Sequence, residues 1–381
     1  MRLSSRGEVD PFIVMDVMEA ARKAEAAGRH IIHMEVGQPS TAAPRMARDR
    51  LAAEMETGAL GYTVALGLPE LREGIAALYR RWYGVDLDPA RVVVTAGSSA
   101  AFLLAFTALF DAGDRVALGE PGYPSYRQIL RALSLTPVGI PTAAEDRYQP
   151  RPEAIPDGVH GLILASPANP SGTMLDHDAL AALICAAAAK GVSIVSDEIY
   201  HGLHYEGRAV SALEVSDEVY VINSFSKYFS MTGWRIGWMV VPAAHVRTVE
   251  RLAQNMFICP PHASQVAALG ALGAVEELEA NRSVYAENRR LMLEGLPKAG
   301  FTRIAPPDGA FYIYADVSDL THNSLSFAAE ILEKARVSVT PGLDFDPRRG
   351  GQTLRFSYAR STADIAEGLK RLQAFMASRR R

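Results

Sequence analysis

The middle of the chain alternates between short runs of hydrophobic residues and longer stretches in which hydrophobic residues recur at helical spacing. Continuous apolar runs predict strands covered on both faces of a sheet; they read RVVVTAG, GLILAS, VSIVSDE and VYVINS. Between them lie SSAAFLLAFTALFDAG and DHDALAALICAAAAKG, which we interpret as helices, the second with Asp176 as its N-cap and Gly191 beyond its end. Alternating strands and helices over roughly 150 residues indicate a doubly wound α/β domain, whose ligands bind beyond the C-terminal strand ends.

The two ends of the chain have a different pattern. Helical spacing over Pro11–Ala27 predicts a helix that stops at Gly28. Beyond Pro260, helical stretches mix with the strand-like segments GAFYIYADVS and TLRFSYA, which is an α+β pattern. We therefore expect an N-terminal helix and arm that join the small domain, a large α/β domain, and a small C-terminal α+β domain, at residues 1–40, 41–275 and 276–381.

The composition is that of a globular protein. Of 381 residues, 49% are hydrophobic and 22% are charged, and the net charge of −4 gives no reason to expect a nucleic acid or an anionic membrane as partner. Two distant cysteines, Cys185 and Cys259, and histidines without ligand spacing argue against a disulfide framework and a metal site. No signal sequence or membrane-spanning run is evident, so we expect a cytoplasmic protein.

Polar residues follow the predicted strands at their C-terminal ends. Gly97, Ser98 and Ser99 come after the first run and open a helix. Free N–H groups and hydroxyls at that position suit a phosphate, although a serine N-cap explains them equally well. Asn169 follows the second run within SPANPSG, where it is either a functional residue or part of an ordinary Asn-Pro turn.

Ionisable side chains follow the next two strands. Asp197 ends a buried strand, where a carboxylate is costly unless it caps a helix or meets a partner such as a protonated ring nitrogen. Lys227 either snorkels to solvent or acts in a cleft, where lysine can form a Schiff base with an aldehyde cofactor. Arg235 offers a forked donor set for a phosphate. With the phenol of Tyr200, this combination describes a pyridoxal phosphate site.

The ordered motifs carry a family resemblance. SFSKYFSMTGWRIGW, together with SPANPSG, DEIY, PGYPSY and TLRFSYA, resembles the class I/II aminotransferases of the fold-type I pyridoxal phosphate enzymes. The similarity is greatest to the branch with bacterial aspartate, aromatic and alanine aminotransferases, and it runs from about Val36 to Phe356. It implies a large, doubly wound, mostly parallel sheet domain plus a small α+β domain. It also implies a ping-pong transfer of an amino group between an L-amino acid and a 2-oxo acid.

The resemblance assigns catalytic roles residue by residue. Lys227 matches the lysine that forms the internal aldimine and shuttles the proton at the substrate's Cα. Asp197 matches the aspartate that pairs with the pyridine nitrogen and keeps it protonated. Asn169 and Tyr200 match the two donors to the phenolic oxygen of the ring.

The remaining matches concern the cofactor phosphate, the ring face and the substrate. Positions around the phosphate are matched by Gly97, Ser98, Ser99, Ser224, Ser226 and Arg235. Tyr123 matches the aromatic residue that stacks on the ring, with plain packing as the alternative. Arg355 matches the arginine that grips the substrate α-carboxylate, and Gly37 a loop glycine beside it; Tyr123 and Asn169 also face the substrate. Tyr62 matches a tyrosine that reaches the phosphate of the other subunit, which implies a homodimer.

One position departs from the aspartate-specific relatives. They carry a lysine where this chain has Ser99, so the usual partner of a second substrate carboxylate is missing. We expect a neutral or broad donor such as alanine or an aromatic amino acid, with 2-oxoglutarate or pyruvate as acceptor; aspartate stays open, since another arginine could substitute. The alternatives are a pyridoxal phosphate C–S lyase or synthase on the same fold, and a non-catalytic cofactor-binding regulator. We also predict a cis Asn169–Pro170 bond.

Overall fold

A computed structural model of the chain describes residues 1–379. The helices in this range are α1 (Ile13–Ala26), α2 (Arg45–Thr57), α3 (Pro69–Tyr83), α4 (Gly97–Leu109), α5 (Pro124–Ala132), α6 (His177–Ala189), α7 (Val246–Phe257), α8 (His262–Leu272), α9 (Val275–Lys298), α10 (Ser324–Ala335) and α11 (Thr362–Arg379). The strands are β1 (Ile32–His33), β2 (Val92–Thr95), β3 (Arg115–Glu120), β4 (Thr136–Pro141), β5 (Gly161–Ala165), β6 (Ser193–Asp197), β7 (Tyr220–Ser224), β8 (Gly237–Val240), β9 (Arg303–Ile304), β10 (Tyr312–Asp316), β11 (Val337–Ser338), β12 (Thr340–Pro341) and β13 (Thr353–Ser357).

The largest sheet has seven strands in the order β2-β8-β7-β6-β5-β3-β4. Its neighbours pair in parallel except at β8, which runs antiparallel to both β2 and β7. A four-stranded antiparallel sheet has the order β12-β13-β10-β9, and β1 pairs in parallel with β11. The predicted α/β class with a mostly parallel large sheet is confirmed.

The central strands of the large sheet are covered on both faces, as their continuous apolar runs require. Ile194 and Val221 belong to the hydrophobic cluster on one face, whereas their chain neighbours Val195 and Ile222 belong to the cluster on the other. Successive side chains of a strand point to opposite faces, so two buried faces require an apolar residue at every position.

The predicted N-terminal helix and the α6 cap are both present. Helix α1 occupies Ile13–Ala26, and Gly28 follows with φ 83°. The Asp176 carboxylate accepts from the N–H of Ala179 at 2.8 Å, which satisfies one of the free donors at the start of α6.

The sheets draw their strands from different parts of the chain. The seven-stranded sheet uses residues 92–240, while the two smaller sheets use residues 32–33 and 303–357. The predicted division at residues 1–40, 41–275 and 276–381 stays a proposal. Within residues 1–379, no helix combines the length and the apolar character needed to cross a membrane.

Candidate active site

The candidate residues converge at one edge of the large sheet. Strands β5, β6 and β7 are adjacent and parallel, so the residues that follow them, including Asn169 and Lys227, come out side by side. Because β8 is antiparallel, its beginning lies at the same edge and brings Arg235 to the group. The pocket there is lined by the predicted residues Gly37, Ser98, Ser99, Tyr123, Asn169, Asp197, Tyr200, Ser226, Lys227, Arg235 and Arg355.

Asp197 is a buried carboxylate whose hydrogen-bond partners carry no charge. One oxygen accepts from the N–H of Ile199 at 3.0 Å, and the other accepts from the hydroxyl of Tyr126. Burial raises the pKa of Asp197 to about 6, although the two hydrogen bonds and the nearby Lys227 oppose the rise. A positively charged ligand atom at this carboxylate would therefore be strongly favoured.

Tyr126 is a site residue that the sequence reasoning missed. It lies on α5, is 4% exposed, and belongs to the PGYPSY motif in which only Tyr123 was singled out. Burial and the neighbouring Asp197 raise the pKa of Tyr126 well above its usual value, so the phenol stays protonated and donates a hydrogen bond to the carboxylate. The hydrogen bond joins residues 71 positions apart, and nothing in the local pattern indicates it.

The amine of Lys227 lies in the pocket and donates to the carbonyl oxygen of Gly37 at 2.7 Å. Its nitrogen also lies 5.6 Å from the ring centre of Tyr200. Burial lowers the pKa of Lys227 to about 8, with Arg355 acting in the same direction and Asp197 against it. An amine of that pKa is partly neutral near physiological pH and can act as a nucleophile or base.

Arg355 is a buried guanidinium that forms no ion pair with any side chain of residues 1–379. Its side chain lies on β13 and donates to the Asn169 side-chain oxygen at 3.0 Å and to the backbone carbonyl of Glu35. The Nε atom is buried without a hydrogen-bond partner among residues 1–379. The guanidinium lies 4.3 Å from the ring centre of Tyr312 and 4.8 Å from that of Phe345. An anionic ligand is the natural partner of such a group.

Arg235 lies beside the start of α4. Its Nη1 donates to the carbonyl of Thr232 at 2.9 Å, and its guanidinium packs against Gly97. A Cβ at Gly97 would come within 2.5 Å of Nη2, and the φ of +78° there also favours glycine. Ser98 and Ser99 at the start of α4 line the same pocket as this guanidinium, and a helix start beside a guanidinium suits a phosphate.

Gly37 has an equally specific reason to be glycine. A Cβ there would meet the hydroxyl oxygen of Tyr312 at 1.6 Å. That hydroxyl is 2.7 Å from the hydroxyl of Tyr200, so the loop at Gly37 packs directly on a pair of tyrosines at the pocket.

Three predicted residues do not line the pocket. Gly97 packs against the Arg235 guanidinium, as described above. Ser224 is 2% exposed, and its hydroxyl donates to the carbonyl of Ile236 and accepts from the N–H of Ser226. Tyr62 is 84% exposed and lies away from the pocket of its own chain.

Other lining residues were not singled out from the sequence. They include Phe12 and Val14 from the start of α1, Thr232, and Tyr312 of β10. Tyr312 lies in the predicted strand GAFYIYADVS, but a strand pattern does not indicate which aromatic residue faces a ligand. The Asn169–Pro170 bond is cis, as predicted.

The whole chain is similar to known aminotransferases. A family model described as aminotransferase class I and II matches residues 29–372. The chain belongs to this family. Its members depend on pyridoxal phosphate and belong to the fold-type I superfamily. Membership of the family makes the chain a transaminase.

Individual relatives of the chain are also named as aminotransferases. The chain is 46% identical to the valine–pyruvate aminotransferase of Mycobacterium tuberculosis, with 99% of each chain covered. It is 32% identical to an aspartate aminotransferase of Geobacillus stearothermophilus, with 100% of each chain covered. A solved structure from Silicibacter pomeroyi, provisionally described as an aminotransferase, is 70% identical with a TM-score of 0.95, covering 99% of this chain and 100% of that one. These matches favour neither the lyase or synthase alternative nor the regulator.

Proposed function

We propose that this aminotransferase binds pyridoxal phosphate in the pocket and takes its amino group from a neutral, apolar L-amino acid, with pyruvate as the acceptor. The observation that carries the proposal is the number of positive charges at the pocket. Among the lining residues described, three are cationic: Lys227, Arg235 and Arg355. In this proposal Lys227 supplies the reactive amine, Arg235 binds the cofactor phosphate and Arg355 binds the substrate α-carboxylate. No cationic lining residue described is then left to bind a second substrate carboxylate.

The residues present fit the cofactor. Arg235 and the start of α4 with Ser98 and Ser99 suit its phosphate, and the uncharged surroundings of Asp197 suit a protonated ring nitrogen. Ser226 and Ser224 lie near the phosphate side, where Ser226 lines the pocket and Ser224 orients it through a hydrogen bond. When bound, pyridoxal phosphate supplies a ring that accepts the electron pair released at the substrate's Cα.

Each of the other residues has a defined task in this proposal. Asp197 holds a proton on the ring nitrogen, and the Lys227 amine holds the cofactor aldehyde and moves the proton at the substrate's Cα. Arg355 binds the α-carboxylate, with Gly37 beside it, and so fixes the orientation of the Cα–H bond. Asn169 and Tyr200 donate to the phenolic oxygen of the ring, and Tyr123 packs on its face.

The choice of a neutral donor has two supports. Ser99 lines the pocket at the position where aspartate-specific relatives have lysine. The valine–pyruvate aminotransferase of Mycobacterium tuberculosis, at 46% identity, is named for a neutral donor and for pyruvate.

A homodimer completes the proposal. Tyr62 is 84% exposed, and Val64 and Ile258 are 57% and 56% exposed. Large exposed side chains of this type are enriched where a partner binds, so we propose that Tyr62 reaches the phosphate in the partner subunit. Sedimentation of the purified protein tests the dimer, and a Tyr62→Ala protein is expected to bind the cofactor more weakly.

A cytoplasmic location is part of the same proposal and is tested by cell fractionation.

The experiment that tests the function is a half-reaction on the purified holoenzyme. Single amino acids are added in turn, the visible absorption of the bound cofactor is followed, and the 2-oxo acid formed is assayed. Bleaching by valine or alanine, reversed by pyruvate, is the expected result. Bleaching only by aspartate would contradict the neutral donor. Release of ammonia or a thiol, with the absorption returning unaided, would support the lyase alternative instead.

A further inference from the structure

The start of α1 brings two apolar side chains to the pocket. Phe12 immediately precedes the helix and Val14 is its second residue, and both line the pocket together with Lys227 and Arg355. The Phe12 ring meets the Tyr123 ring edge-on, with centroids 6.0 Å apart and an interplanar angle of 79°. Val14 is 4% exposed. These two residues give the pocket an apolar wall, which we call the α1 wall.

The α1 wall is held in place by a carboxylate from the other end of the chain. The backbone N–H groups of Ile13 and Val14 donate to the two oxygens of Asp344, each at 2.8 Å. The N-cap residue Phe12 makes no side-chain hydrogen bond of its own. The first N–H groups of a helix have no partner within it, and a carboxylate is favoured there. Asp344 therefore supplies the cap that the local sequence lacks, from 331 positions away.

The turn that carries Asp344 also contacts other parts of the pocket. The ring of the next residue, Phe345, lies 4.8 Å from the Arg355 guanidinium. The carbonyl of Phe345 accepts from the N–H of Gly122 at 3.0 Å, directly before Tyr123. One short turn thus fixes the α1 wall relative to the residue that we assign to the substrate carboxylate.

We propose that Asp344 is a positioning residue that sets the enzyme's selectivity for the donor side chain by holding Phe12 and Val14 in the pocket. A donor bound through its carboxylate at Arg355 places its side chain at a fixed distance from that anchor. The position of the α1 wall then determines how well a branched apolar side chain packs in the pocket. Displacing the wall removes this packing for valine but has little effect on alanine, whose methyl group is small. This inference rests on the proposed function in taking a neutral amino acid as donor.

The test compares valine with alanine as donors. The ratio of their kcat/KM values is measured for the wild type, Asp344→Ala, Val14→Ala and the double variant, with pyruvate as acceptor. Asp344→Ala is expected to lower the ratio about tenfold, since hydrophobic packing of one or two methyl groups is worth that much. The loss should appear as a higher KM for valine, while the kcat for alanine and the dissociation constant of the cofactor stay within about twofold.

Matched variants separate positioning from general stability. Asp176→Ala removes a comparable cap from α6, whose residues do not line the pocket, and should leave the ratio unchanged while lowering the melting temperature to a similar degree. Asp344→Asn keeps one acceptor oxygen and should give an intermediate ratio; it also serves if Asp344→Ala folds poorly.

The double variant decides whether Asp344 acts through the α1 wall. If it does, the effects of Asp344→Ala and Val14→Ala on the ratio are less than additive, because residues in one network couple. Additive effects, an unchanged ratio, or an equal loss for both donors would overturn the inference. If one of these outcomes is found but the wild-type holoenzyme converts both valine and alanine, only this inference fails and the proposed function stands. If the wild-type enzyme accepts neither donor, both the proposed function and this inference are refuted.

Discussion

Replacing Tyr126 by Phe removes the hydrogen bond to Asp197 without changing the shape of the side chain. The bond joins a phenol to a buried carboxylate, and a hydrogen bond to a charged group contributes about 1.5–3 kcal/mol. Since about 1.4 kcal/mol corresponds to a tenfold change in an equilibrium constant, the loss should raise the pKa of Asp197 further above its value of about 6 and favour the protonated carboxyl about tenfold or more. The carboxylate would then be partly protonated at neutral pH in the apoprotein.

The consequence is measured through cofactor binding. Apoprotein is titrated with pyridoxal phosphate between pH 5 and pH 9, and the dissociation constant is obtained from the visible absorption. The wild type should reach its full affinity at lower pH than Tyr126→Phe. The variant should bind up to about tenfold more weakly at pH 7, because the ring nitrogen meets a carboxyl group that first has to lose its proton.

A matched control excludes a general effect of the substitution. Tyr314 is 1% exposed and donates to the Thr353 hydroxyl at 2.8 Å, away from the pocket, so Tyr314→Phe also removes a buried tyrosine hydrogen bond. The Tyr314→Phe substitution should leave the pH dependence of cofactor binding unchanged. The same pH dependence in the wild type and Tyr126→Phe would refute the reasoning.

Three further predictions follow from the pocket. Lys227→Ala should abolish transamination, measured as the 2-oxo acid formed. The wild-type apoprotein should also become more stable between pH 8 and pH 10.5, because the unfolded chain binds more protons than the folded one in that range. Denaturant titrations of the variant should lack this gain in stability. Asp197→Asn should bind the cofactor more weakly. It should also stabilise the apoprotein by up to about 3 kcal/mol at pH 8, with no difference below pH 4. The reason is that the pKa of Asp197 is raised from 3.8 to about 6 in the folded state, so the wild type loses stability as the pH rises through that range. Arg355→Lys should raise the KM for the amino donor about 10- to 100-fold with an unchanged cofactor spectrum, since lysine cannot form the two parallel hydrogen bonds of a guanidinium. A spectrum that changes together with KM would instead indicate that Arg355 contacts the cofactor.

Much of the architecture follows from local patterns. Continuous apolar runs predict strands buried on both faces, and β5, β6 and β7 are such strands. The position of Asn169, Asp197 and Lys227 just after these runs places them at one sheet edge once the strands are taken as parallel. That step needs only the spacing of residues along the chain, so the sequence alone is sufficient for it.

Other features depend on contacts between distant segments. The antiparallel direction of β8 brings Arg235 to the pocket, but the segment that forms β8 looks like any buried strand. The hydrogen bond from Tyr126 to Asp197 spans 71 positions, and the contact of Tyr200 with Tyr312 spans 112. No local propensity distinguishes Tyr126 or Tyr312 from ordinary core residues, because a buried phenol finds its partner only when the chain has folded.

The start of α1 shows the same division most clearly. Its helical periodicity was sufficient to predict a helix over Pro11–Ala27. Its place in the pocket was not predictable, since the cap comes from Asp344 and the target of Phe12 and Val14 is formed by other segments. The sequence by itself determined which segments form buried strands and helices, and which chemical groups follow the strands, because these depend on neighbours along the chain. Only the tertiary structure decided which groups shift the pKa of Asp197 and which side chains form the α1 wall, because those contacts join segments that are 71 to 331 positions apart in the chain.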